Sequence, residues 1–250
     1  MKKLINTSCC VLLFATYVVA QEAPVRFVVF EDNVKPSMDV QYKQSLKKLK
    51  TACEENKVGT VSWRTVQHDD NTYRHLVPIT GMGDLDKNMM ADLEDKMGKE
   101  AVGSIFANMS KCVDGQRSFV VSLQKDLSYM EPPPGDNYRE IMYWYVLPEK
   151  EMEAQQIAME WKKLYESKKI PQGYATYKMD FGQEPCYVIV SWGKDEADFA
   201  ANMAKKRTML GDEGAKLEAK TMLITKKFSI DRAWLLPEYS YRPEITTAQK

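Results

Sequence analysis

Residues 141–146 (IMYWYV), 149–168 (EKEMEAQQIAMEWKKLYESK) and 186–192 (CYVIVSW) fall within Asn137 to Phe199, the stretch whose reading decides the fold. The first run is apolar and aromatic throughout, as in a strand covered on both faces. The second carries Ile157, Ala158, Trp161, Leu164 and Tyr165 at helical spacing. Pro171 and Gly173 stop that helix and open another strand. The third run is again a strand, and a further helix begins near Phe199.

The same order occurs earlier in the chain. Val25–Phe30 reads as a strand and Pro36–Cys53 as a helix with Met38, Tyr42, Leu46, Leu49 and Cys53 on one face. Thr60–Gln67 and Thr72–Ile79 read as strands around the turn His68-Asp69-Asp70-Asn71. Asp84–Met97 and Lys99–Lys111 read as helical, interrupted at Gly98, and Ser118–Lys125 as a strand before the stiff Pro132-Pro133-Pro134-Gly135. An offset of 114 pairs Phe30 with Trp144, Met38 with Met152, Gly59 with Gly173 and Tyr73 with Tyr187. It also pairs Asp84, Asn88 and Met89 with Asp198, Asn202 and Met203. Near the ends the offset becomes 112, pairing Ser128-Tyr129 with Ser240-Tyr241.

Each half therefore reads as β-α-β-β-α-β, the split ferredoxin-like unit. The expected fold is α+β, two tandem units packed sheet to sheet as an intrachain α/β barrel. The first strands fit this arrangement, with Phe27 and Val29 opposed to Val28 and Phe30, and Ile141 and Tyr143 opposed to Met142 and Trp144. The expected organisation is a leader over 1–20, repeat one over 21–131, a Pro-rich linker over 132–136, repeat two over 137–243 and a tail over 244–250. The expected assembly is a monomeric pseudo-dimer or a homo-oligomer.

On this topology and repeat the chain resembles a tandem member of the dimeric α/β-barrel superfamily, over roughly Val25 to Pro243. That superfamily includes NIPSNAP-type proteins, cofactor-free monooxygenases, muconolactone-isomerase-like enzymes, haem-degrading and haem-binding members and stress-responsive barrels. Its members share fold far more than chemistry, and none of their catalytic motifs maps onto these residues. The resemblance implies a pocket between sheet and helices.

Lys2 and Lys3, the apolar run Cys9–Val19 and the small residue Ala20 have the order of a secretory leader cleaved before Gln21. The expected location is secreted or periplasmic. Three cysteines then remain, Cys53, Cys112 and Cys186, without metal or redox spacing; small buried hydrophobes is the favoured reading, with one bridge open. Lys plus Arg and Asp plus Glu each number 35, so net charge gives no reason to seek nucleic acid. Lys47-Lys48 and Lys205-Lys206-Arg207 read as solvated helix faces. No stretch after the leader is long and apolar enough to span a membrane.

His68 and His75 are the two histidines. Alternation puts Tyr73, His75 and Val77 on one face of their strand and Arg74 and Leu76 on the other. His75 is either a base or ligand in a pocket or a hydrogen-bonded core histidine. The candidate ligand-binding residues are Tyr73, His75, Trp144 and Tyr187, with His75 the most reactive polar group. The aromatics and the series Met89, Met90, Met97 and Met109 serve as core filler or as an apolar pocket wall. No nucleotide fingerprint, serine-nucleophile motif or zinc motif is present, and no metal or cofactor is expected. The favoured function is a small apolar ligand-binding or structural module without turnover. The alternative is a cofactor-independent or haem-linked monooxygenase.

Overall fold

The computed structural model describes residues 25–243. The leader and the tail lie outside the described residues. The first half contains β1 (Arg26–Val34), α1 (Asp39–Glu55), β2 (Arg64–His68), β3 (Thr72–Ile79), α2 (Ala91–Met97), α3 (Lys99–Ser110) and β4 (Val113–Leu123). The second contains β5 (Tyr138–Val146), α4 (Glu151–Lys168), β6 (Tyr174–Phe181), β7 (Tyr187–Gly193), α5 (Glu196–Leu223) and β8 (Thr225–Leu235).

The eight strands close into a barrel in the order β1-β3-β2-β8-β5-β7-β6-β4, every neighbouring pair antiparallel. The two halves thus contribute to one closed antiparallel barrel and are joined at two seams. β2 pairs with β8, and β4 with β6, which leaves no strand edge exposed. Inside the barrel Phe27, Val29, Phe119, Val121, Ile141, Tyr143, Met179 and Val188 form one apolar core. The helices cover the outside. Leu46 and Met109 pack there with Tyr73, and Met89, Met90 and Met97 fill the first half as the series predicts.

Several boundaries differ from the sequence reading. β1 runs on through Glu31, Asp32 and Asn33, polar residues that take ladder partners on both sides. Phe30, expected on one of two covered faces of the first strand, is 39% exposed. Asp84 accepts the Thr80 N–H at 2.7 Å, making a short 3-10 turn over Met82–Asp86 rather than the start of a long helix. The second-helix region of each half breaks at a glycine with positive φ, Gly98 (+87°) and Gly211 (+53°).

The structural offset also differs. Pro36–Met38 and Pro148–Lys150, the 3-10 turns leading into α1 and α4, stand 112 residues apart. In the ladders, Phe30 pairs with His75 and Met142 with Ile189. The counterpart of Phe30 is therefore Met142, and Trp144 corresponds to Asp32. On β3 and β7 the 114 offset holds: Tyr73 donates to Asp39 Oδ1 at 2.5 Å, and Tyr187 donates to Glu151 Oε1 at 3.1 Å.

The repeated Ser-Tyr pair lashes the halves together. Ser240 Oγ accepts the Thr65 N–H at 2.9 Å, and Ser128 Oγ accepts the Thr176 N–H at 2.9 Å. Tyr241 bridges to Trp63, and Tyr129 to Tyr174. Each half's last segment is thus bonded to the other half. This contact explains Gly173, where a Cβ would lie 2.5 Å from the Tyr129 carbonyl oxygen and 2.6 Å from the Trp192 ring.

Candidate functional site

A cavity of about 920 Å³ lies between the outer face of the β5-β6-β7-β8 sheet and helices α4 and α5. That volume is at the upper end of the range for pockets that take small molecules. Its wall follows from strand alternation. Tyr138, Glu140, Met142 and Trp144 project from β5, Tyr187, Ile189 and Ser191 from β7, and Phe228, Ile230 and Arg232 from β8. Tyr174 and Thr176 come from β6. Ala158, Trp161 and Tyr165 come from α4, and Phe199, Met203, Lys206, Arg207 and Leu210 from α5.

The hollow has a residue-level cause. At the 112 offset the inward side chains of α1, Tyr42, Leu46 and Leu49, correspond to Ala154, Ala158 and Trp161 on α4. Ala158, which lines the cavity, stands where the first half has Leu46, while Ala154 is packed in the cluster with Trp144 and Ile157. The α5 break at Gly211 sits in the wall as well.

Most of the lining is aromatic or aliphatic. Trp144 and Tyr187 stack at 5.5 Å between centroids, and Trp144 Nε1 donates to Thr225 Oγ1 at 2.8 Å. Tyr165 meets Tyr174 edge-on at 5.0 Å. Lys206 Nζ lies 5.7 Å from the Tyr165 ring centroid. The Tyr174 hydroxyl is buried and has no hydrogen-bond partner. Burial pushes the Lys206 ammonium down to about 8 against the pull of Glu140. Burial likewise raises the Glu140 carboxyl, opposed by Lys206 and Arg232. Lys206, expected on a solvated face, is half-buried here because α5 turns that side toward the sheet.

The four sequence candidates divide between two places. Trp144 and Tyr187 line the cavity; Tyr73 and His75 lie under α1 in the first half. There Tyr42 Oη is bonded to an Asp32 carboxylate oxygen and stands 2.9 Å from His75 Nε2. Thr65 Oγ1 lies 3.1 Å from His75 Nδ1 and donates to the Tyr239 carbonyl at 2.8 Å. Burial pushes the His75 imidazole down to about 4. His75 is thus a hydrogen-bonded core histidine, and its counterpart in the cavity is the apolar Ile189.

A second polar cluster sits inside the barrel. Arg74 Nε donates to Glu31 Oε2 at 2.7 Å, Arg117 to the other Glu31 oxygen, and a further Arg74 nitrogen to the Tyr143 hydroxyl. Burial works to raise the Glu31 carboxyl, but the two guanidiniums prevail and hold it below its usual range. His68, expected in a turn, ends β2 and is buried; burial and Arg74 push its imidazole down to about 3. The following turn does use turn chemistry: Asn71 has φ +65° and Asp70 accepts the Thr72 N–H at 2.9 Å. Among the described residues no group of His, Cys, Asp and Glu is arranged to hold a metal ion. Cys53, Cys112 and Cys186 are free and buried.

Haem, which the fold resemblance brings into consideration, finds no imidazole or thiolate donor in this cavity. The cavity wall contributes no histidine and no cysteine, and both imidazoles of the chain are packed elsewhere.

No protein-family model matches the chain, and no curated protein matches it either. Solved structures do. An anthrone oxidase-like protein aligns at TM-score 0.56 and 14% identity, covering 86% of this chain and 92% of its own. A monooxygenase-like protein from Lactobacillus acidophilus NCFM aligns at TM-score 0.57 and 10% identity, covering 87% and 98%. A mutant chlorite dismutase from Candidatus Nitrospira defluvii aligns at TM-score 0.53 and 9% identity, covering 85% and 92%. The fold is that of the dimeric α/β barrels; at these identities the likeness concerns fold alone.

Proposed function

We propose that the cavity of the second half binds a flat, largely apolar small molecule, and that the protein is an oxidoreductase of the cofactor-independent monooxygenase type. The observation that carries this reading is the half-open, largely apolar cavity of about 920 Å³ with a few charged groups in its wall. The names of the anthrone oxidase-like and monooxygenase-like neighbours support the reaction class. We read the chain as two ferredoxin-like units in tandem, exported behind the leader at 1–20 and working as a monomeric pseudo-dimer.

Without a cofactor the protein's chemical task is to remove a proton from an activated C–H or O–H group and shield the resulting anion from bulk water. Glu140 is the acceptor in this proposal. Its carboxyl is raised by burial, which brings its basicity closer to neutral pH. Trp144, Tyr187, Met142 and Phe228 position the ring system. The test is oxygen uptake with anthrone as the probe substrate. The proposal expects turnover that falls about a hundredfold in Glu140→Gln, the size of a lost general base. Anthrone binding without oxygen uptake would instead support a second reading, a ligand-holding module without turnover. That reading draws on the placement of both imidazoles outside the chamber. Absence of any binding would overturn both.

A further inference from the structure

We propose that Lys206 is a covalent site of the cavity, where its amine condenses with an apolar aldehyde or ketone to form an imine. The inference rests on the cavity taking an apolar ligand, as in the reading above, and not on the oxidation assigned to it there. It adds a second chemistry.

Lys206 comes from α5 and lines the cavity, with Nζ 5.7 Å from the centroid of the Tyr165 ring on α4. Tyr165 is buried and packs with Ile170, Tyr174 and Leu210, so the nitrogen lies over a covered ring between the two helices. Among the described residues Lys206 has no carboxylate at ion-pair distance and no hydrogen bond. Other lysines at the seam between α4 and α5 behave differently. Lys220 pairs with Glu160 at 2.6 Å, and Lys168 pairs with Glu213. Lys205, one residue away, is exposed. A lysine set in an apolar wall without a salt bridge is the arrangement that frees the amine for nucleophilic attack. Burial acts in the same direction on Lys206, bringing it down to about 8 from 10.5.

Glu140, on β5, is the acidic group that acts on Lys206, and Lys206 acts on it in turn. Its carboxyl, raised by burial, serves as the proton carrier for the condensation. The lone pair of the neutral amine attacks the carbonyl carbon. The C–N bond forms as the carbonyl π pair moves to oxygen, which takes a proton from Glu140. The nitrogen returns a proton to Glu140, leaving a neutral carbinolamine. Glu140 then protonates the hydroxyl, which leaves as water while the nitrogen lone pair closes the C=N bond. The products are one water, a protonated imine and the Glu140 carboxylate, and nothing is oxidised or reduced. Trp144, Met142 and Phe228 line the same cavity and suit the apolar body of the carbonyl compound.

The experiment treats the full-length protein at pH 7 with 2-naphthaldehyde and sodium cyanoborohydride, which reduces an imine to a stable secondary amine. Peptide mapping then follows the rate of labelling at each lysine. The proposal expects Lys206 to be labelled about tenfold or more faster than Lys205. A saturating amount of N-phenyl-1-naphthylamine, an uncharged apolar fluorescent probe, should slow Lys206 and leave Lys205 unchanged. Lys206→Arg, which keeps a cation over the Tyr165 ring, should lose the fast adduct while thermal melting shows it folded. Mapping of the unaltered chain decides the question even if that variant does not fold. Equal rates at Lys206 and Lys205 with the probe bound overturn the covalent site and leave the cavity intact. Fast labelling that the bound probe does not slow places the reaction outside the cavity and overturns it too. Equal rates without probe binding overturn the cavity reading itself.

Discussion

The two halves of the barrel use the same succession of elements to opposite ends. Under α1 the first half is filled. Tyr42 reaches down to Asp32 and His75, and Leu46 and Met109 close around it. Under α4 and α5 the second half keeps a cavity beside a packed cluster of Trp144, Ala154, Ile157 and Tyr187. Ala154 and Ala158 replace Tyr42 and Leu46, Trp144 replaces Asp32, and Ile189 replaces His75. The polar network that holds one helix onto its sheet has thus been exchanged for an aromatic wall around a void. A void of this size stores no cohesion of its own. The second half must draw stability from the barrel core, the strand edges shared with its twin and the Ser-Tyr segments that cross between them. A packed half and an open half in one closed sheet is a division between scaffold and site.

The largest effect should come from hollowing the filled half. Tyr42→Ala removes a fully buried ring and strands Asp32 and His75 without their shared hydroxyl. Chemical denaturation should register a loss of about 4 kcal/mol or more. The reciprocal change, Ala158→Phe, fills the chamber. It should cost under about 1.5 kcal/mol, because the ring enters empty space, yet weaken binding of N-phenyl-1-naphthylamine at least tenfold. A loss of several kcal/mol would mean that the space beside Ala158 is closed in solution.

Two glycines offer a contrast in crowding. Gly173→Ala would press a methyl group against the Tyr129 carbonyl and the Trp192 ring and should lose about 1–3 kcal/mol. Gly59, which only the sequence offset of 114 pairs with it, has no atom within 4 Å of an added Cβ, so Gly59→Ala should be neutral or stabilising by about 0.5 kcal/mol. Equal effects would show that the crossing of Tyr129 over Gly173 does not persist.

Acid provides a graded test of the filled half. Burial holds His75 and His68 neutral, with folded values of about 4 and about 3 against 6.5 for an ordinary imidazole. A depressed folded value means that the unfolded chain binds protons first. The stability is therefore complete above pH 6.5 and is lost as pH falls from there toward 4 and then 3. His75→Gln should make the denaturation midpoint less steep in pH across that window. An unchanged slope would contradict a neutral, buried His75.

Much of this architecture was legible in the chain. The bounds of β3 follow from the chain because Thr72–Ile79 is β-rich and lies between a turn and a glycine, and the faces of Tyr73, His75, Arg74 and Leu76 follow from alternation. The Ser-Tyr pairs were visible as a repeat, but their role was not, since each bonds to a strand of the other half. The chamber was hidden by register. At an offset of 114 Tyr42 falls on Gln156, and the exchange of Tyr42 and Leu46 for Ala154 and Ala158 appears only at 112. The place of Lys206 is hidden for a different reason. A Lys-Lys-Arg run on a helix is normally solvated, and only the packing of α5 against its sheet brings the middle residue to the cavity wall.

The central claim, that the sheet face under α4 and α5 is open and the one under α1 is filled, is tested most directly by titrating N-phenyl-1-naphthylamine into the full-length protein and into Ala158→Phe and Leu46→Phe in parallel. The account predicts one saturable site, abolished by Ala158→Phe and unaffected by Leu46→Phe, which meets only filled space and lowers stability instead. Binding that survives Ala158→Phe, or that Leu46→Phe removes while the protein stays folded, would contradict it.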